Sequence, residues 1–474
     1  MSELALFSLI VTGYFAAINT IYLVQLILAF RTVRRRVRAI SVEDFRDIRE
    51  SGLAPPISIV VPAYNEAKTI IDSVRSLFAL RYPRLELVVV NDGSTDDTLQ
   101  RLIAEFGLRL TPRVYWQRIK SKPVRGIYWS PAYPGLWVLD KENGRKADAN
   151  NAGINLASAP YVCVIDGDSV VEVDAMAALM NAILPNPAET VAAGGTVRIA
   201  NGCSFGPDGE TAVGLPKTFV GATQVLEYLR AFLFGRVAWG ELNALMIVSG
   251  AFGLFRKDVL VEMGGYRSDT VGEDMDLIVR MHRWLRSARR RYKVIFVPDP
   301  VCWTECPETL KDLRKQRERW HRGLGETMDH NRVMLASRGF GQIGLLAMPY
   351  FMIFEYLSPI VEVAGYVILP VGWVLGSVEP PLLLLFLGAA FAYGLCLSLA
   401  TLLLEELSFH RYREVKQVLS LAGVAVREQL GLRQLHSWWR LVALITWRGR
   451  PPSWHSAPRQ GFQAIAVPPA AGPS

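Results

Sequence analysis

Ile57-Ser58-Ile59-Val60-Val61-Pro62-Ala63-Tyr64-Asn65-Glu66 is a short, mostly β-branched run that stops at proline and then turns polar. That pattern predicts a buried strand over Ile57–Pro62 with its polar residues just past the carboxyl end. Working outward, Glu66–Leu80 has helical spacing, with Ile70, Val74, Leu77 and Phe78 on one face. Leu85–Val90 predicts a second strand, Asp96–Phe106 a second helix, and Val162–Ile165 a third strand. Alternating strand and helix predicts an α/β fold with a parallel-type central sheet covered on both faces. Ligands of such sheets sit outside the carboxyl ends of the strands. Polar residues fall at those ends: Ala63–Glu66, Asn91–Ser94 and Asp166–Asp168. No Gly-x-Gly-x-x-Gly follows the first strand and no Walker-type loop occurs, so dinucleotide oxidoreductases and P-loop ATPases lack their phosphate-binding device.

The chain has 474 residues, about half of them hydrophobic, a net charge of +8 and a mean hydropathy of +0.21. Such apolarity points to a bilayer, and the basic residues cluster beside apolar runs, which favours lipid headgroups over nucleic acid. Residues 4–30 are uncharged and long enough to cross about 30 Å of hydrocarbon, and they end at Arg31, Arg34, Arg35, Arg36 and Arg38. Positive charge marks the cytoplasmic flank. Two further apolar stretches lie near Tyr356–Val378 and Pro381–Leu404, separated by Glu379-Pro380-Pro381. Three spans put the central region and the C-terminus on the cytoplasmic side, in a multi-pass protein of the inner (plasma) membrane. The expected organisation is a spanning helix over 1–30, a basic linker over 31–54 and the α/β domain over 55–335. An interfacial helix and two spans follow over 341–404, then amphipathic helices over 405–450 and a disordered tail over 451–474. The amphipathic helices suit either the bilayer surface or packing against the domain. Five scattered cysteines predict free thiols, not a disulfide framework.

Several carboxylates stand where chemistry is expected. Asp166-Gly167-Asp168 closes the third strand, and a turn at Gly167 brings both carboxylates to one pole, suited to a hard divalent ion that completes its shell with water and phosphate; it is also an ordinary turn sequence. Asp92, before Gly93 and Ser94, suits either a helix-capping turn or a hydrogen bond to a nucleoside. Lys146 and Asp148, in Gly144–Asn151, suit a solvated helix start or contacts with phosphate and base. Glu273 and Asp274 open a helix, where acidic residues complement the dipole. As a catalyst, Asp274 would accept the proton of an attacking hydroxyl, with Glu273 orienting it or contacting the acceptor. Gln316, Arg319 and Trp320 share a face of the basic helix Leu310–Gly323, which suits a membrane surface or, alternatively, a diphosphate held by arginine and a sugar ring resting on tryptophan.

This ordered set resembles the family-2 glycosyltransferases, most closely the processive membrane synthases of cellulose, chitin, hyaluronan and poly-N-acetylglucosamine. The resemblance implies a GT-A fold over about residues 55–330 and inverting transfer from a UDP-sugar to a growing β-linked polysaccharide, with Mg²⁺ or Mn²⁺. It implies Asp274 as catalytic base with Glu273 beside it. Asp92, Lys146, Asp148, Asp166, Gln316, Arg319 and Trp320 would hold the donor, and Asp168 with Asp166 the metal. Ser249, Gly250 and Trp320 would line the acceptor end. Export-partner subunits are a further implied association; nucleic acid is not. One departure stands out: the catalytic acidic motif commonly begins with Thr or Ser, and here it begins with Gly272. Two other readings compete: a non-processive transferase acting on a lipid carrier, and a non-catalytic sugar- or nucleotide-binding membrane partner.

Overall fold

The computed structural model describes residues 3–40, 48, 50, 52–206, 210–448 and 463–464. The expected disordered tail, all but residues 463–464, lies outside the described residues, as does most of the stretch 41–51.

Ten strands form one sheet: β1 (Ile57–Ala63), β2 (Leu85–Asp92), β3 (Arg109–Leu110), β4 (Val124–Trp129), β5 (Leu136–Lys141), β6 (Tyr161–Val164), β7 (Ser169–Val171), β8 (Thr190–Ile199), β9 (Gly253–Arg256) and β10 (Lys293–Thr304). Their spatial order is β3-β4-β5-β2-β1-β6-β9-β8-β10-β7. The core β5-β2-β1-β6 is parallel. Beyond it the sheet is mixed: β9 runs antiparallel to both β6 and β8, while β10 is parallel to β8. Of this parallel part, β1, β2 and β6 are the strands that strand–helix alternation predicts, and β5 is not among them. The antiparallel pairing of β9 escapes that reading because helices precede and follow it as they would a parallel strand, yet it runs against both its neighbours.

Alternation along β1 and β2 builds two cores. Val60, Val88 and Val90 pack on one face with Ala149, Ala152 and Ile154; Ile59, Val61 and Val89 pack on the other with Ile70 and Leu102. A side-chain period of two in an extended chain makes this division unavoidable.

The helices that matter to the site are α1 (Glu3–Ile40), α2 (Ile70–Phe78), α3 (Thr98–Phe106), α4 (Arg145–Leu156), α5 (Ala175–Ile183), α6 (Phe219–Leu229), α7 (Glu273–Ser287) and α8 (Leu310–His330). After them come α9 (Ser358–Val374), α10 (Tyr393–Ser408), α11 (Val415–Glu428) and α12 (Leu432–Thr446). Among the described residues, three helical stretches are long and apolar enough to cross a membrane: Ile10–Ala39, Ile343–Val374 and Pro380–Ser408. The first helix does not stop at residue 30 but continues to Ile40. At about 1.5 Å per residue it is far longer than the hydrocarbon, so its arginine-rich end reaches the domain. There Arg36 grips Asp299 with two hydrogen bonds of 2.7 and 3.0 Å. Helix α11 buries Leu421, Val424 and Ala425 among α6 residues and leaves Val415, Leu419 and Val426 exposed, so each face of the amphipathic pattern has its own environment.

One strap is fully dry. Arg198 on β8 and Glu405 in the last turn of the third apolar helix are 2% and 0% exposed and meet at 2.6 Å. Removing one member of a buried ion pair strands the other charge, at a cost of about 3–5 kcal/mol. Glu405→Ala should therefore lower the melting temperature of the detergent-solubilised protein sharply. Arg198→Met combined with Glu405→Leu should recover most of the loss, and equal melting of the single variant and wild type would contradict this role.

Candidate active site

The carboxyl ends of β1, β2 and β6 open into a cleft of about 1390 Å³. Its wall includes Asp92, Lys146, Asp166, Asp168, Ser249, Gly250, Glu273, Asp274, Gln316, Arg319 and Trp320. Residues nearly 230 positions apart in the chain thus share one cavity, and of the expected site residues only Asp148 lies outside its lining.

Asp148 stands behind the wall in a buried charge network. Lys141 Nζ, wholly buried, lies 2.6 Å from Asp92 Oδ1 and 2.6 Å from Asp148 Oδ1. The backbone N–H of Gly144 donates to Asp92 at 3.0 Å, and that of Lys122 donates to both Asp148 oxygens at 3.0 and 3.1 Å. Burial raises the Asp92 carboxyl above its ordinary value, and Lys141 and Gly144 pull against that rise. The expected nucleoside carboxylates therefore form one rigid unit through a lysine that motif reading missed. The signal was present: Lys141 is a charged residue closing an apolar strand. Gly93 holds this corner with φ +67°, and an added Cβ would stand 2.7 Å from the Asn143 nitrogen. Only glycine takes that backbone conformation without strain.

A second lysine organises the donor turn. Lys146 Nζ is 2.5 Å from Asp166 Oδ1 and 3.6 Å from Glu273 Oε1. Burial alone would lower the ammonium, but Asp166 and Glu273 outweigh it and hold it above its ordinary value. Burial pushes Glu273 up to about 7, with Lys146 opposing. Asp274 is held by backbone donors: the N–H of Gly250 reaches Oδ2 at 3.1 Å and that of Met275 reaches Oδ1 at 2.8 Å. Its carboxylate thus faces the cleft at the start of α7, next to the Ser249-Gly250 loop.

Helix α8 is bolted to the loop that carries Asp274. Glu326 accepts from Thr270 Oγ1 at 2.9 Å and from the N–H of Val271 at 2.8 Å. Beside these bonds Gly272 and Gly323 pack backbone to backbone: a Cβ on Gly272 would lie 2.9 Å from the Gly323 Cα. This explains the missing hydroxyl at the head of the acidic motif, because no side chain fits there. On the cleft side of α8, the Arg317 guanidinium covers the Trp320 ring at 4.5 Å and pairs with Glu227. The Gln316 Oε1 is buried without a hydrogen-bond partner among the described residues.

No cluster of three or more His, Cys, Asp or Glu among the described residues is arranged to hold a metal. The donor set nevertheless fits a hard divalent ion. Asp166 and Asp168 both line the cleft, and two carboxylates leave the rest of such an ion's shell to water and phosphate oxygens. The five cysteines are free.

The fold and the cleft define a class: a GT-A-type sheet domain carried on apolar helices, with carboxylates, lysines and arginines around one cavity. The chain belongs to glycosyl transferase family group 2, whose family model matches residues 161–403, about half of the chain. A glycosyl transferase family 2 model matches residues 58–115. The poly-β-1,6-N-acetyl-D-glucosamine synthase of Staphylococcus aureus (strain COL) is 30% identical over 274 residues, 57% of this chain and 55% of that protein. The synthase of that name from Staphylococcus epidermidis is 29% identical over 319 residues, 65% of this chain and 66% of that protein. The chain therefore spans little more than half the length of the Staphylococcus aureus relative. A mannosyltransferase from Pyrobaculum calidifontis, solved with GDP-Man and Mn²⁺, shares the fold with a TM-score of 0.50 at 18% identity, over 92% of this chain and 98% of that one.

Two outcomes follow from this geometry. Gly272→Thr, which restores the family's usual residue, should lower activity at least tenfold and destabilise the protein by about 1–3 kcal/mol through overpacking; full activity with an unchanged melting temperature would refute the Gly272–Gly323 contact. Glu273 holds its proton more tightly folded than unfolded, so its contribution to stability is present below about pH 4.5 and is lost as pH rises through about 7. Glu273→Gln should therefore melt like wild type near pH 4.5 and higher than wild type at pH 8, as measured by thermal shift.

Proposed function

We propose that this protein is a membrane-embedded inverting glycosyltransferase that moves a sugar from a UDP-sugar to a growing β-linked polysaccharide. The observation that carries the reading is the convergence of Asp92, Asp168, Asp274 and Arg319 on one cleft. Asp274 takes the proton of the acceptor hydroxyl. The freed oxygen attacks the anomeric carbon from the face opposite the nucleotide, the carbon–oxygen bond to the diphosphate breaks, and UDP departs with the electron pair. The configuration at that carbon inverts, without a covalent enzyme intermediate. Asp92, positioned by Lys141 and Asp148, meets the nucleoside; Lys146, Gln316 and Arg319 meet the diphosphate; Ser249, Gly250 and Trp320 meet the acceptor. Asp166 and Asp168 would hold Mg²⁺ or Mn²⁺, whose charge would neutralise the leaving diphosphate.

The three apolar helices, the basic end of α1 and the straps to the domain support a multi-pass placement in the inner membrane with the domain on the cytoplasmic side. The domain limits read from the sequence, 55–335 with flanking spans, belong to the same proposal, as do export-partner subunits.

The test uses full-length protein in detergent with Mn²⁺ and a panel of nucleotide sugars, with nucleotide release and product linkage and length as readouts. The name of the relatives' product makes UDP-N-acetylglucosamine the first donor to try. Release with at least one UDP-sugar and a β-linked polymer are expected, and Asp274→Asn should cut the rate by about 10²–10⁴-fold. No release with any donor from well-folded protein would refute the reading. A product longer by a single sugar would favour the lipid-carrier alternative.

A further inference from the structure

Helix α6 does not end cleanly. It widens into a π-helical turn at Arg230–Arg236 before one further α-helical turn at Val237–Glu241. Such turns are rare and concentrate at functional sites. Here Phe232 and Arg236 of the π turn, with Tyr228 at the end of α6, line the wall of the cleft. They form a stack: the Tyr228 and Phe232 rings lie 5.7 Å apart at 28°, and the Arg236 guanidinium sits 3.7 Å above the centre of Phe232.

The chemistry of Arg236 is unfinished. Its Nη1 is buried and has no hydrogen-bond partner among the described residues. The carboxylates near this helix are engaged elsewhere: Glu227 with Arg317 and His436, and Glu428 with Arg230. Burial draws the guanidinium down to about 10, and the carboxylate that opposes this is Asp274. Lys146, by contrast, answers to Asp166, Glu273 and Asp274. Asp274, Lys146 and Arg236 line the same cleft, and Asp274 is within electrostatic range of both cations. A buried guanidinium with an unmet donor is costly unless something completes it, and a cleft that admits substrate supplies the completing group.

We infer that Arg236 is an acceptor-binding residue: its guanidinium donates hydrogen bonds to an oxygen of the acceptor's terminal sugar and presents the attacking hydroxyl to Asp274. The ring of Phe232 fixes the plane of the guanidinium, and the π turn sets its reach. The inference rests on the glycosyltransferase reading above, and it adds to that reading a residue that no motif marks.

The experiment uses full-length protein in detergent. Wild type, Arg236→Met and Arg236→Lys are compared for UDP binding with Mn²⁺ by calorimetry. Nucleotide release at saturating donor is then measured against increasing β-linked N-acetylglucosamine oligomer. Arg236→Met should bind UDP within about twofold of wild type while its KM for the oligomer rises about tenfold or more, the loss expected for a charge-assisted hydrogen bond. Arg236→Lys should recover part of the loss. Should the methionine variant fail to fold, the lysine variant decides, with a raised oligomer KM at unchanged UDP affinity expected. Parallel loss of UDP affinity would assign Arg236 to the donor and overturn the inference, and so would an unchanged oligomer KM. Failure of the underlying reading is distinct, because it shows in the wild type as no nucleotide release with any donor, and it takes the inference with it.

Discussion

Six carboxylates, Asp92, Asp148, Asp166, Asp168, Glu273 and Asp274, crowd the carboxyl pole of one sheet, and mutual repulsion is the constraint the whole site answers to. Like charges a few ångströms apart in a partly buried cleft repel far more strongly than in water. Two lysines relieve this. Lys141, wholly buried, bridges Asp92 and Asp148, and Lys146 bridges Asp166 and Glu273. The first bridge is structural and dry, and the second faces the cleft. Between them they let the acidic loops of β2, β6 and α7 approach one another, while Asp274 accepts hydrogen bonds from the backbone N–H groups of Gly250 and Met275.

The same logic of paired charge ties the domain to the apolar helices. Arg36 with Asp299, Arg198 with Glu405 and Arg230 with Glu428 each join a strand or helix of the domain to a segment outside it. Most of these pairs are well shielded, so they fix direction more than they add stability. Their geometric effect is to hold the cleft at a set distance from the membrane-type helices. Helix α8 links the two regions: it contacts the loop of Asp274 on one side through Glu326 and Gly323, and on the other it packs Leu313 against Leu432 and Trp439 of α12.

Strands β1, β2 and β6 of the parallel centre were legible because strands buried on both faces are continuous apolar runs with helices beside them, whereas β5 follows β4 with no helix between and was not. The mixed half was not, since β8, β9 and β10 pair across long stretches of chain with no local periodicity to announce it. The expected site residues were legible as motif positions, but their roles were not equally readable. Asp148 looks like a ligand contact in sequence and stands behind the cleft wall in space. Gly272 looks like a lost hydroxyl and is a packing necessity set by Gly323, some fifty residues on. Lys141 and Arg236 have no motif at all, because their significance lies in which groups surround them.

Taken alone, the amino-acid sequence determined the elements and the chemistry on offer: buried strands from β-branched runs, three apolar helices with basic flanks, and carboxylates at strand ends. These follow from local periodicity and composition, which act over a turn or two of chain. Tertiary structure alone decided which carboxylates share a counterion, which glycines are forced by close backbone contact, and which arginines of the cleft wall keep a buried donor unmet among the described residues. Such facts are set by contacts between residues tens to hundreds of positions apart, and no local pattern encodes the distance between them.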